Sequence, residues 1–447
     1  MTRPQIAPRA AWISAFVLLV SILAQGPAWA EEPSPASQPD TAGNAPPPAA
    51  GGTANEPGKT PAHAPLLTVP VEERSLSNGI RVITVERRGA PTIAACIAVG
   101  VGSCLEEPGK TGISHLLEHM MFKGTAMLGT TDYEKEKPIL DRIDAWIERR
   151  DEERAKGDSA DPAALERYRV ELEFLQEEYA KLAIPNEYRL LYSKNGISML
   201  NASTNRDVTR YYCSMPANVI ELWLRAESER LLAPVFREFH TERDVVCEER
   251  RLVTETNAVG VLWEKLNLAA YTVHGYKWPV IGFMEDIARL GKRDIARHFE
   301  ENYTPDRMVI AMVGHFRTED LMKDLEKWFG RIPRRTAATP SIPEEPAESG
   351  ERRVSVEFKA QPRLAIGYRA TALGDRDGYA LDVIAELLTG GNSSRLVKSL
   401  VIDKKMCSSI SCGAPASRYP GQFSISASPV SPHTCAEIEA EVVFELG

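Results

Sequence analysis

The chain is poor in several features that would settle its chemistry at once. Seven cysteines are scattered through 447 residues without a Cys-x-x-Cys pair. Neither a disulfide framework nor a cysteine zinc site is therefore signalled, and at least one thiol stays unpaired in a monomer. No GxxxxGKS/T or GxGxxG stretch is present to cradle a phosphate, and Gly390-Gly391 alone is weak support for one. Basic charge is in deficit, with 53 Lys and Arg against 62 Asp and Glu for a net charge of −9. With no basic stripe interleaved with aromatics, this argues against a nucleic-acid partner. Long apolar runs are missing too: the longest, Ala11 to Ala24, is about 14 residues, short of the roughly 20 that span a bilayer.

That short run has its own meaning. Arg3 and Arg9 precede it and Ala28-Trp29-Ala30 follows, the pattern of a signal peptide (residues 1–30) cleaved after Ala30. The expectation is an exported protein, periplasmic in a cell with an outer membrane and secreted otherwise, with no transmembrane segment once the leader is gone. Residues 31–66 are Pro, Ala, Gly and Ser with hardly a large apolar side chain, a composition that cannot bury enough surface to fold and reads as a tether. The rest, in a chain that is 43% hydrophobic and 26% charged, can support a large core.

Histidine is scarce, eight in all, which makes the placing of two of them informative. His115 and His119 stand four apart in Ser114-His115-Leu116-Leu117-Glu118-His119. On a helix that spacing puts both imidazoles on one face, free to converge on one ion. Glu118 lies close enough to reach a water at that ion without being a ligand. HxxEH is the reverse of the commoner HExxH and is the chemistry of metal-assisted hydrolysis; chance would supply it in roughly one such chain in a hundred.

The flanking sequence places this motif. Arg74 to Val85 alternates around Asn78-Gly79, a hairpin signal. Thr92 to Val101 is nearly all apolar or small, as in a strand covered on both faces, and Ser114 is the expected cap of the helix that follows. Residues 132–182 form a charged segment whose second arm repeats Leu165, Tyr168, Leu172, Leu175, Tyr179 and Leu182 at three-four spacing. With Tyr133, Leu140, Ile143 and Ile147 in the first arm this is a helical hairpin, its charges reading first as a solvated face. Strands are expected again at 197–204 and 208–214, then helices from 218 to 232 and from about 241.

In the last helix Val245, Val246, Leu252 and Val253 form an apolar stripe that Glu242 and Glu249 share, with Glu248 turned aside toward Arg251. A carboxylate on such a face needs compensation. A divalent cation would provide it, and so would Arg243 or Arg250; spacing leaves the two readings even. If the cation is there, Glu249 is the third ligand and Glu242 orients an imidazole. His274, in a loop without a spaced partner, reads as structural. Pro333, Pro340, Pro343 and Pro346 mark residues 332–351 as a linker. Beyond it, strands at 354–358 and 364–368 and a helix at 378–388 weakly echo the first half.

Taken together, SHLLEHMMFKGT, Asn201-Ala202-Ser203-Thr204, ERDVVCEE (242–249), TPDRMVIAMVGHF (304–316) and GGNSSRL (390–396) resemble the pitrilysin or insulinase family of zinc peptidases. The branch they are most similar to is that of the mitochondrial processing peptidase and its bacterial relatives. The resemblance implies an α+β fold of two homologous units, antiparallel sheets flanked by helices in a metalloprotease α-β roll. These would be residues 67–331, carrying the hairpin insertion 132–182, and 352–447. It implies one Zn²⁺ per chain on His115, His119 and Glu249, Glu118 as general base, and a peptide substrate bound as an added edge strand beside Asn201 and Ala202. Two departures stand out. Val401 and Ser408 occupy the positions where the family places an Arg and a Tyr, so a homologous partner subunit is expected to supply that pair. The second unit is also about half the size of the first and is expected to be incomplete. A non-catalytic peptide-binding or scaffold subunit of the same fold is the rival reading.

Overall fold

A computed structural model describes residues 69–338, 342–347 and 350–447; the expected signal peptide and tether lie outside them. The Asn78-Gly79 turn joins β1 (Glu72–Ser75) to β2 (Arg81–Glu86) as an antiparallel hairpin. Strands β3 (Thr92–Val99), β4 (Ser198–Thr204), β5 (Thr209–Pro216) and β6 (Met308–Gly314) complete a six-stranded sheet of order β1-β2-β6-β3-β5-β4. The expectation of purely antiparallel pairing needs one correction: β2 and β6 run parallel. β6 reaches β2 only after the chain has crossed over through the intervening helices, and such long crossovers are what parallel neighbours require.

β3 and β6 lie at the centre and are buried on both faces. Ile93, Ile97, Val99, Ile310 and Met312 pack into the main core, while Ala94, Cys96, Ala98, Val309, Ala311 and Val313 form a thinner layer on the opposite face. Each of the large side chains contributes about 1.5–3 kcal/mol by leaving water. Seven free thiols are present, those of Cys96, Cys104, Cys213 and Cys407 buried. No helix among the described residues is long and apolar enough to cross a membrane.

The helix α1 (Ile113–Met120) presses Leu116, Leu117 and Met120 into the main core. Its cap is not Ser114, which lies inside the helix with its hydroxyl 3.3 Å from His298 Nε2. Glu106 does that work: its carboxylate accepts the Gly112 and Ser114 N–H groups at 2.7 and 2.9 Å. Gly112 itself is at φ 86° with the Ile281 carbonyl 2.4 Å from where a Cβ would stand, so only glycine fits there.

The charged segment forms the hairpin α2 (Tyr133–Arg154) and α3 (Pro162–Ala180), started by Asp132 and Asp161 side chains that accept the Lys135 and Ala163 N–H groups. Leu140, Ile147, Leu172 and Leu175 are buried along its seam. Its base is locked rather than loose. The Arg237 guanidinium forks onto the fully buried Glu136 carboxylate and donates to the carbonyls of Lys123, Thr125 and Leu128. After α4 (Glu187–Lys194) and α5 (Ile220–Leu232) comes α6 (Phe239–Arg250), which runs through a wide turn into α7 (Ala258–Ala270).

A second sheet of order β7-β9-β8 is built from β7 (Leu364–Arg369), β8 (Cys407–Gly413) and β9 (Gln422–Pro429), all antiparallel. The helices α8 (Arg376–Thr389) and α9 (Cys435–Leu446) pack on it. The strand expected at 354–358 does not form: Val354, Val356 and Phe358 are exposed, and their alternation finds no neighbouring strand to pair with. The segment ahead of it is pinned to the first unit through Glu345. Its carboxylate accepts the Thr272 N–H and hydroxyl and the N–H groups of Val273 and His274 at 2.6–2.9 Å.

Candidate metal centre

Two elements meet at the site. α1 presents His115 and His119 from a face that its buried core residues fix in rotation, and α6 crosses it carrying Glu242 and Glu249. His115 Nε2 lies 3.8 Å from Glu249 Oε1, and His119 Nε2 lies 3.6 Å from Glu249 Oε2. The three potential ligand atoms all fall within 4.8 Å of one another. Those separations are too long for hydrogen bonds. They approach the edge of a tetrahedron around an ion with bonds of about 2.0–2.1 Å, which is about 3.3–3.5 Å.

The electrostatics agree with the geometry. Burial, helped by the nearby His119, drops the His115 pKa to about 3, so its imidazole is held neutral, the form that binds metal. Its Nδ1 is buried without a hydrogen-bond partner among the described residues. For His119, burial opposes protonation, but the Glu242 contact and the charges of Glu249 and Glu118 outweigh it and raise the pKa. The same carboxylates would favour a cation placed there. Glu242 Oε2 is 3.4 Å from His119 Nδ1, and its other oxygen meets Lys123 Nζ at 2.5 Å. It therefore sits behind His119, away from the Nε2 that faces Glu249.

The two arginines offered as the alternative partners of the glutamates are engaged elsewhere, while Lys123 is the cation beside Glu242. Arg243 donates to the Leu290 carbonyl and faces Asp151, and Arg250 pairs with Glu264 and Glu255. Neither arginine neutralises Glu242 or Glu249. The stripe used to single out these glutamates is only partly a stripe: Val246 is buried, but Val245, Leu252 and Val253 are 46%, 71% and 48% exposed. Glu249 faces the cleft rather than a core, with its side chain 41% exposed. Glu118, largely buried and with its pKa raised by that burial, accepts the Thr204 hydroxyl at 2.6 Å.

Comparison with known proteins fits this geometry. Residues 81–137 match the family described as Insulinase (Peptidase family M16), and residues 289–446 match one described as Peptidase M16 inactive domain. The chain is 29% identical over 355 residues to the zinc protease PqqE of Helicobacter pylori, covering 77% of this chain and 67% of that one. A probable mitochondrial-processing peptidase subunit beta of Schizosaccharomyces pombe is 25% identical over 58% of this chain and 45% of its own length. The crystal structure of a protease from Helicobacter pylori superposes with a TM-score of 0.69 at 25% identity, over 85% of this chain and 79% of that one.

The chain is similar to the insulinase, or M16, peptidase family over residues 81–137 and 289–446.

In this chain the three side chains of the motif, His115, Glu118 and His119, line a cleft of about 560 Å³ with Glu249, Ala202 and Thr204. Among the described residues β4 is the edge strand of the sheet, paired only with β5. Ala202 therefore borders the cleft, and Asn201 stands exposed beside it with its side-chain oxygen accepting the Ala202 N–H. His274 is outside the cleft, its Nδ1 accepting the Tyr276 N–H. Val401 and Ser408 are also elsewhere: Val401 packs on the core of the second unit, and Ser408 donates to the Ser428 carbonyl. Sequence reading gave no role to Thr204, although it lay in a quoted motif. Lys123, also inside a quoted motif, was likewise given no role, and Trp263, Arg206 and Lys277 were given none because chain distance carries no signal of which loops converge.

Proposed function

We propose that the chain is an exported zinc endopeptidase acting on peptides or small proteins held in extended form. The observation that carries this reading is the placing of Glu118 in the same cleft as the converging ligand atoms of His115, His119 and Glu249. One Zn²⁺ held by those three residues would supply Lewis acidity, polarising a peptide carbonyl and acidifying a water. Glu118 takes a proton from the attacking water and delivers it to the leaving amine. The Thr204 hydroxyl fixes the carboxylate for that transfer, and Glu242 holds the His119 ring from behind. The free edge of β4 takes the substrate backbone as an added strand beside Asn201 and Ala202. Export rests on the residue pattern of 1–30.

Val401 and Ser408, where the family places its Arg and Tyr, support a homologous partner subunit that supplies that pair. Full peptidase activity from the purified monomer would count against the partner. A second reading, a non-catalytic peptide-binding or scaffold subunit, draws on those same two positions and on the match of 289–446 to a domain described as inactive. Metal analysis separates the readings: stoichiometric zinc is expected of the peptidase, and its absence would favour the scaffold. The decisive variant is Glu118→Gln, which is expected to abolish peptide cleavage with zinc content unchanged. Cleavage at the wild-type rate would overturn the assignment.

A further inference from the structure

Two cations line the cleft without a carboxylate to neutralise them. Arg206 follows Thr204 by two residues in the β4–β5 turn, and Lys277 approaches from the loop after α7. Both are partly buried. Lys277 Nζ donates to the Thr272 carbonyl at 2.9 Å and lies 4.2 Å from the centre of the Trp278 ring. The Arg206 guanidinium lies 5.5 Å from the centre of the Tyr276 ring. No carboxylate comes within 4.0 Å of either among the described residues. The acids nearby are engaged elsewhere. Asp207 accepts the Tyr276 hydroxyl and the Arg418 N–H, and Glu264 pairs with Arg250.

Solvated surface cations would mean little, but the backbone that carries Arg206 is fixed in place. Its carbonyl accepts the Cys104 N–H at 2.9 Å, and the Asn205 carbonyl accepts the Ser103 N–H at 3.2 Å. Gly102 lets the two segments touch: a Cβ there would stand 2.2 Å from the Asn205 carbonyl oxygen and 2.6 Å from the Arg206 carbonyl carbon. The stacking ring is itself anchored, because the Tyr276 hydroxyl accepts the Tyr419 N–H at 3.0 Å while donating to Asp207. The guanidinium projects from this fixed backbone beside an anchored ring, and its planar fork matches a carboxylate.

We infer that Arg206 and Lys277 form a carboxylate-recognising subsite, so that the cleft selects peptides carrying an acidic group near the scissile bond. This rests on the peptidase reading above and names the substrate class for it. The carboxylate comes either from an Asp or Glu side chain or from the C-terminus of the peptide. The test uses the zinc-loaded full chain, with its partner subunit if one is required. Quenched fluorescent peptides are scanned with Glu against Gln at each position, each made as the free acid and as the C-terminal amide. The expected result is a preference of about tenfold in kcat/KM for one carboxylate form, as for a charge-assisted hydrogen bond. A preference that follows Glu identifies the side chain as the source, and one that follows the free acid identifies the terminus. Arg206→Gln is expected to bring that ratio close to one, Lys277→Gln to reduce it less, and Arg206→Glu to favour Lys at the same position. Equal cleavage of all forms by the wild type, or an unchanged ratio in Arg206→Gln, would overturn the subsite. If no peptide is cleaved, the peptidase reading fails separately. Fluorescence anisotropy of the same peptides on Glu118→Gln then still tests the subsite, tighter binding of the acidic form supporting it and equal binding overturning it.

Discussion

The two sheets share a plan and differ in what they carry. In the first, the order β3-β5-β4 puts the last of three successive strands in the middle; in the second, β7-β9-β8 does the same. A helix follows the first strand in each. In the first unit that helix is α1, with two histidines and a glutamate facing a cleft. In the second it is α8, which has no histidine and shows Tyr379, Val383 and Leu387 to solvent at 69%, 59% and 66% exposure. The fold fixes where a site would be built, and residue identity decides whether there is one. Burial differs as well. The central strands β3 and β6 of the first sheet are covered on both faces, whereas β7 pairs only with β9 among the described residues.

The largest expected difference between the units is in metal. His119→Ala should reduce bound zinc from one per chain to near none, measured by elemental analysis, while any substitution on α8 leaves it unchanged. Glu242→Gln, acting through the His119 ring, should weaken zinc by about tenfold to a hundredfold without abolishing it. Zinc bound as tightly as in the wild type would show that Glu242 does not support the site.

Ion pairs give the next contrast. Arg237→Met strands Glu136 in the interior and is expected to cost about 3–5 kcal/mol in chemical denaturation. The exposed Arg353–Glu439 pair of the second unit should give no measurable change when Arg353 is replaced by Ala. A small effect at Arg237 would mean that the hairpin base is hydrated rather than locked.

The junction between units offers a pH test. Burial alone would raise the Glu345 pKa, but the Thr272 hydroxyl and the N–H groups of His274, Val273 and Thr272 outweigh it and hold it at about 2. A depressed carboxylate stabilises the fold fully above its unfolded value near 4.5 and loses that contribution as pH falls toward about 2. Glu345→Gln should therefore lower Tm at pH 7, with the gap to wild type closing over that window. A gap that stays constant with pH would show that the charge is not what docks the segment. The smallest effect is expected from Leu387→Glu on the exposed face of α8, within about 0.5 kcal/mol. A larger loss would reveal that something covers that face in solution.

Legibility in the sequence followed the range of the interaction. The Asn78-Gly79 hairpin, the doubly covered strand expected over 92–101 and the seam of the α2–α3 hairpin are local patterns, and the structure has them there, the strand ending at Val99. The cap of α1 was misread because the carboxylate that does the work, Glu106, arrives from a preceding turn rather than from the helix. The strand at 354–358 was misread because alternation shows which residues share a face, not whether another strand is there to pair. Glu249 was singled out by a stripe that is mostly exposed; it meets the histidines all the same, through the crossing of α6 over α1.

The sequence by itself determined that His115 and His119 share a helix face and that Glu118 accompanies them, because a 3.6-residue turn makes this a matter of spacing. Only the tertiary structure decided what else faces them. Glu249 is 130 positions beyond His119 by their numbers, and Arg206 and Lys277 come from two separate loops. Their approach depends on how α6, the β4–β5 turn and the loop after α7 pack on one core, and no local periodicity records that.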